Sequence, residues 1–229
     1  MRKILLSTAV VAAMTSVSFA GQAAESATLS ITGTITPASC DVTLSSPSID
    51  IGTVSAASLI KDSNVSQGHT VTLNVDCDAP AAVAVQTTDN RAASALTLAN
   101  MSDEMKTSVL GLSDAQIFGL GSDSVQEKIG AMALAITQAT ADGETNTNVL
   151  TSSDKAVWSL TQLSTTQPAT LTKNGYFALA ADVNTTTPTA LTQATYTIAS
   201  KIILKKADAY PSGEEVPIDG NVTFSVVYL

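Results

Sequence analysis

The sequence contains few residues whose type and spacing could support catalysis. Its one histidine, His69, directly precedes a predicted strand. A Ser-His-Asp hydrolase could use that histidine, but the G-x-S-x-G elbow that would present the serine does not occur. Paired carboxylates such as Glu214 and Glu215 could cleave glycosidic bonds only if a cleft held them at the right separation. We interpret them as surface charge and predict that the protein is not an enzyme.

Motifs for nucleotides and metals are weak. Residues 119–121 (GLG) lack the third glycine and the strand-to-helix context of a phosphate-binding loop, and no G-x-x-x-x-G-K-[ST] motif occurs. Residues 142–146 (DGETN) resemble a calcium loop only faintly, because the alternating acids and the closing glutamate are missing. A solvated turn explains them better. We therefore predict neither a cofactor nor a metal.

The two cysteines, Cys40 and Cys77, have the spacing of a structural pair rather than a reactive one. There is no C-x-x-C motif, and one histidine is too few to complete a metal site. In an oxidising compartment, a single structural disulfide is the default interpretation.

The start of the chain predicts such a compartment. Basic residues at positions 2 and 3, an apolar stretch over residues 4–17 and a small-x-small pattern ending at Ala20 are typical of a secretory signal peptide. Cleavage after Ala23 or Ala24 would also fit. Eleven basic residues against twenty acidic ones give a net charge of −9, so the chain offers no basic face, and we expect no nucleic-acid partner.

Alternation of apolar and polar residues predicts an all-β fold. It begins at residues 28–36, continues through Val42 and Leu44, and returns in residues 70–77 and 82–86. Further strands are predicted over residues 129–137, 158–163, 176–183, 196–204 and 221–229. Residues 101–120 could contain a helical turn. We expect a signal peptide (residues 1–20), an N-terminal extension (residues 21–36) and one β-sandwich domain (residues 37–229).

Both ends of the mature chain carry recognisable patterns. Residues 28–35 (TLSITGTI) form an alternating segment with a glycine, shortly before Cys40. Residues 51–54 (IGTV) and 57–59 (ASL) lie between the cysteines, and Cys77 ends a predicted strand. The chain finishes with Phe224, Val226 and a penultimate Tyr228 at alternate positions. In order and spacing, these features resemble subunits of chaperone–usher pili of the type 1 and P pilus kind, in a less-studied pilin-like branch.

The resemblance implies an incomplete immunoglobulin-like (pilin) β-sandwich that lacks one strand. A groove would stay open beside the C-terminal strand, with Phe224, Val226, Tyr228 and Leu229 at its edge. An N-terminal donor strand carrying Leu29, Ile31, Gly33 and Ile35 would fill the groove of the next subunit, by addition of a strand to a sheet edge. Gly33 would mark either a close backbone approach or a bulge.

The implied partners are a periplasmic pilus chaperone, an outer-membrane usher and neighbouring pilus subunits, with a host or surface receptor as a further candidate. The implied location is the periplasm and then the surface fimbria of a Gram-negative bacterium. Two other classes remain open from the sequence. One is an exported binding module or tip adhesin that completes its own sandwich, and the other is a secreted hydrolase.

Overall fold

The computed structural model describes residues 27–229. The predicted signal peptide lies outside the described residues, as do residues 21–26 of the predicted extension. The chain divides into two compact units, Met1–Thr36 and Pro37–Leu229.

The described part of the first unit, residues 27–36, is exposed and contains neither helix nor strand. Its alternation predicted a β-strand, and for the chain on its own that prediction is wrong. A strand requires a neighbour to pair its N–H and C=O groups, and residues 27–36 have no strand partner within residues 27–229. The segment therefore exposes the apolar side chains of Leu29, Ile31 and Ile35.

The second unit is built almost entirely from antiparallel strands. The ten strands are β1 (Cys40–Leu44), β2 (Asn64–Asp89), β3 (Gly130–Ala141), β4 (Glu144–Thr145), β5 (Asn148–Ser152), β6 (Ser159–Gln162), β7 (Ala169–Thr170), β8 (Tyr176–Leu179), β9 (Ala190–Leu204) and β10 (Val222–Tyr228). Short 3-10 turns occur at Ala56–Ser58, Ala92–Ser94, Leu98–Asn100, Asp114–Gln116 and Ala207–Ala209.

The strands form two sheets that share β2. The first sheet has the order β1-β2-β9-β3, with the short strands β4 and β7 on the far side of β3. The second has the order β10-β2-β8-β5-β6. Their inner faces enclose the main hydrophobic core. The predicted all-β sandwich is confirmed.

Strand β2 differs from its prediction. Residues 70–77 and 82–86 were expected to be two strands separated by Pro80, but they belong to one strand of 26 residues. Proline has no N–H to give to a ladder, and pairing with β9 shifts register between Asp76 and Ala81. After this irregularity Ala81 and Ala82 still pair with β9, and from Val83 onward the strand pairs with β10. The proline therefore marks a change of sheet and not the end of a strand.

The disulfide predicted between Cys40 and Cys77 is confirmed. The two residues are direct partners in the register of β1 and β2, and the bond closes a loop with a sequence separation of 37. It fastens the first strand of the domain to the strand shared by both sheets. A disulfide of this kind is typical of proteins exported to an oxidising compartment.

The middle of the chain contains one helix, α1 (Asp103–Ser108). The Ser102 side chain accepts a hydrogen bond from the Met105 amide, and Asp103 and Glu104 lie in the first turn, where negative charge is favourable. Met105 belongs to a second small core, which packs against Ala131 and Ile203 on the first sheet. The predicted helical turn in this region is confirmed.

Candidate binding groove

Strand β10 is an edge strand. It pairs with β2 along its whole length, and its other edge has no partner strand within residues 27–229. The carbonyl of Asn221 accepts a hydrogen bond from Asn90, and the amide of Leu229 donates one to Ala82. The backbone N–H and C=O groups of the odd-numbered residues therefore point towards β2. Because the direction of backbone groups alternates along a strand, the N–H and C=O groups of the even-numbered residues face the free edge.

The side chains of those even-numbered residues point towards the core without being fully covered. Val222, Phe224 and Val226 pack against the main core but remain only partly buried. On the neighbouring strand β2, Val83 and Val85 are buried, with relative exposures of 5% and 1%. The difference shows that the sandwich is incompletely filled beside β10.

An open groove of about 1550 Å³ lies beside this edge strand. Its floor comes from β3 and β9, through side chains such as Met132, Leu134, Ile198 and Ile202. Residues 46–54, which follow β1, line one wall, and residues 210–224 line the other. The space is larger than the roughly 300–1,000 Å³ of typical small-molecule pockets.

Polar contacts fasten both ends of β10. Near its C-terminus, the Tyr228 hydroxyl accepts a hydrogen bond of 2.7 Å from the Cys40 amide, next to the disulfide. Just before its N-terminus, Arg91 donates a 2.7 Å hydrogen bond to the Asp219 carboxylate, and this ion pair raises the pKa of Arg91. The edge strand is thus held at both ends, while its outer edge stays open.

The residues predicted as a donor strand lie in the first unit and are exposed. Leu29, Ile31 and Ile35 have relative exposures of 87%, 91% and 102%. A Cβ atom built on Gly33 would meet no other atom within 4 Å, and Gly33 has no left-handed φ. The chain's own fold therefore places no requirement for glycine at this position.

Of the four residues predicted at the groove edge, three lie in β10 and Leu229 directly follows it, and Phe224 is the one that lines the groove. Phe224 lines the groove, and it contacts Phe177 edge to face with a ring separation of 6.3 Å. Val226 packs against the core beside it. Tyr228 and Leu229 are about half exposed at the end of the strand.

The sequence did not assign two parts of the wall to the groove. Ile51 and Val54 belong to the IGTV pattern noted between the cysteines, and they pack on the core from a segment that forms no strand, so no alternation predicted their place in the groove. Val216 and Ile218 pack on the core from the other wall. They have the same parity as Phe224 and Val226, and extending the alternation backwards along the chain would have found them.

The candidate polar groups elsewhere have structural contacts. His69 shares a 3.1 Å hydrogen bond with Ser66, and Glu214 accepts one from Ser124. Among residues 27–229, no cluster of three or more His, Cys, Asp or Glu side chains is arranged to hold a metal ion. Within the same residues, no helix combines the length and the apolar character that spanning a membrane requires.

The fold and the disulfide define an exported all-β protein whose sandwich has an open groove at one edge strand. The chain is 30% identical to Protein GltF of Escherichia coli (strain K12) over 259 aligned residues, which cover all of this chain and 99% of that protein. It therefore belongs to the same family as Protein GltF. Residues 29–133 match a family described as "Protein of unknown function (DUF1120)". No solved structure matches the chain.

Proposed function

We propose that the protein is a structural subunit of a surface fimbria that assembles by donor-strand exchange. In this proposal, residues 28–36 of one copy enter the groove of the next copy and add a strand to β10. A periplasmic chaperone occupies the groove first, and an outer-membrane usher exchanges it for the neighbouring subunit. The observation that carries the proposal is the groove itself, which Val222 and Phe224 line at the start of β10, a strand whose outer edge has no partner strand within residues 27–229.

The chemistry of the groove suits an extended polypeptide. An unpaired strand edge offers a row of N–H and C=O groups that another strand can satisfy, and such edges are open to pairing unless they are protected. Most side chains of the groove floor are apolar. In strand addition, pockets that take alternate side chains of the added strand provide the specificity.

The exposed segment has the complementary pattern. Burying Leu29, Ile31 and Ile35 would contribute roughly 1.5–3 kcal/mol each, or about 5–9 kcal/mol together. Each main-chain hydrogen bond would add about 1 kcal/mol. Association opposes this with some 4–15 kcal/mol of lost freedom. A full-length segment can therefore join two copies without a covalent bond, while a shortened one should not.

The direct test measures binding of a labelled peptide of residues 27–37 to the purified full chain. Fluorescence anisotropy gives its affinity, and electron microscopy shows whether the chain alone forms fibres. The matched control peptide has the same composition with Leu29, Ile31 and Ile35 moved to the opposite parity. We expect the native peptide to bind and the control to fail.

Two results would contradict the proposal. One is equal binding of both peptides, since parity would then not matter. The other is a full chain that stays a monomer, takes no peptide, and still melts reversibly at high temperature after residues 27–36 are deleted. That second result would favour an exported binding module or tip adhesin.

A further inference from the structure

The inward-facing series of β10 continues beyond the strand. Val216 and Ile218 pack partly buried against the main core, and Gly220 lies so close to it that a Cβ atom there would be 3.1 Å from Leu120. With Val222, these are four successive even-numbered positions that face the core. Residues 216–221, called here the β10 extension, thus have the side-chain arrangement of a strand.

The backbone of the β10 extension is only half paired. The Asp219 amide donates a 2.8 Å hydrogen bond to the Leu120 carbonyl, and the Asn221 carbonyl accepts one from Asn90. The backbone groups of these odd-numbered residues therefore point to the same side as the β10 backbone groups that bond to β2. Within residues 27–229, the amides of Ile218 and Gly220 donate to no other group. By alternation they face the open groove.

Pro217 fits this arrangement. A proline cannot donate to a ladder, and it is tolerated in a sheet only where its missing N–H does not face a pairing partner. Pro217 is odd-numbered, so by alternation its nitrogen lies on the side away from the groove's open edge, although the residue itself lines the groove wall. On the side towards the groove, the backbone amides of Ile218 and Gly220 remain available as hydrogen-bond donors.

We propose that the β10 extension becomes a continuous part of β10 when a donor strand occupies the groove. This inference rests on the proposed function, because the donor supplies the missing partner. Strand β10 has seven residues, which span about 24 Å, whereas the nine-residue donor segment spans about 31 Å. The β10 extension would supply the additional strand edge that the longer donor segment needs. The wall of the groove would therefore become a continuous strand when the donor segment binds.

The test is residue-specific hydrogen exchange by NMR on the full chain, with and without the peptide of residues 27–37. We expect exchange of the Ile218 and Gly220 amides to slow by roughly tenfold or more once each has a partner. The Asp219 amide, already bonded to Leu120, should change little. Protection of the even-numbered β10 amides alone would overturn this inference and leave the proposed function standing. Protection of none of these amides would overturn both.

Two variants provide a second measurement. Ile218→Ala removes the side chain, and Ile218→Pro removes the side chain together with the N–H. The proline variant should bind the peptide about fivefold more weakly than the alanine variant, the effect of one lost hydrogen bond. Equal affinities of the two Ile218 variants would overturn the inference. Near-ultraviolet circular dichroism confirms that each variant is folded.

Discussion

Replacing Ile31 with aspartate separates the contribution of the donor segment from the stability of its own chain. Ile31 is 91% exposed, so the substitution removes no packing within the chain that carries it. The free energy of unfolding should therefore change by no more than about 0.5 kcal/mol. The cost appears only when the segment enters a neighbour's groove.

The magnitude of that cost follows from burial. An isoleucine transferred from water into the apolar groove contributes roughly 1.5–3 kcal/mol, and the aspartate forfeits this. A polar group left without a partner there costs about 1–3 kcal/mol more. The smallest combined loss, about 2.5 kcal/mol, weakens binding roughly 70-fold.

The assay compares Ile31→Asp with Thr32→Asp. Both variants add one negative charge to the same exposed segment, but position 32 has the opposite parity and would face away from the groove. Peptides carrying each change are titrated into the full chain, and full-length variants are tested for fibres by sedimentation. We expect Ile31→Asp to abolish fibres and Thr32→Asp to retain them, with affinity within about twofold of the native peptide.

Normal fibres from Ile31→Asp would refute the reasoning, since the side chain would then not be buried on assembly. Equal losses from both variants would also refute it, because charge and not parity would be the cause. A fall in the melting temperature of Ile31→Asp on its own would show that Ile31 packs within its own chain.

Three further predictions test other parts of the structure. Gly33→Lys should leave the melting temperature unchanged, because a side chain there meets nothing in the chain, but it should block fibre assembly; normal assembly would exclude a close approach at this position. Cys40→Ser should lower the free energy of unfolding by about 4 kcal/mol and reduce periplasmic accumulation, and wild-type levels in an oxidising strain would show the disulfide to be dispensable. Hydrogen bonds from Thr192 and Gln193 lower the pKa of Asp142, so the ionised carboxylate stabilises the fold above pH ~4 and this contribution disappears as pH falls through the lowered pKa. Asp142→Asn should therefore be less stable than the native chain at pH 7, and the difference should narrow in acid; a difference independent of pH in urea denaturation would contradict this.

Much of the fold could be predicted because alternation and turn residues are local signals. Asp142 and Gly143 both adopt left-handed backbone angles, as the predicted turn requires, and the ends of β10 lie within one residue of the prediction. The continuity of β2 could not be predicted in this way. Pro80 is a strand breaker by its local chemistry, and only the pairing with distant strands shows that the strand shifts register there and continues.

The groove was predictable only in part for the same reason. The parity of Phe224, Val226 and Tyr228 is visible in the sequence, so their common edge could be expected. The opposite wall comes from residues 46–54, which have no regular structure and whose position depends on contacts with distant strands. The local sequence pattern likewise does not show what pairs with residues 27–36. Without a pairing partner, that segment does not form a strand.

The sharing of β2 between the two sheets has a mechanical consequence for a fibre of the proposed kind. In such a fibre, a force applied to residues 27–36 would be transmitted along the backbone to Cys40 and then through the disulfide to Cys77. It would therefore bypass most of the loop between the two cysteines. From Cys77 the backbone runs only to Val83 before its ladder with β10 begins, and β10 is the strand that would grip the next copy. Tension would thus travel along one short covalent route and load the ladder hydrogen bonds together, so the core between the sheets need not carry it.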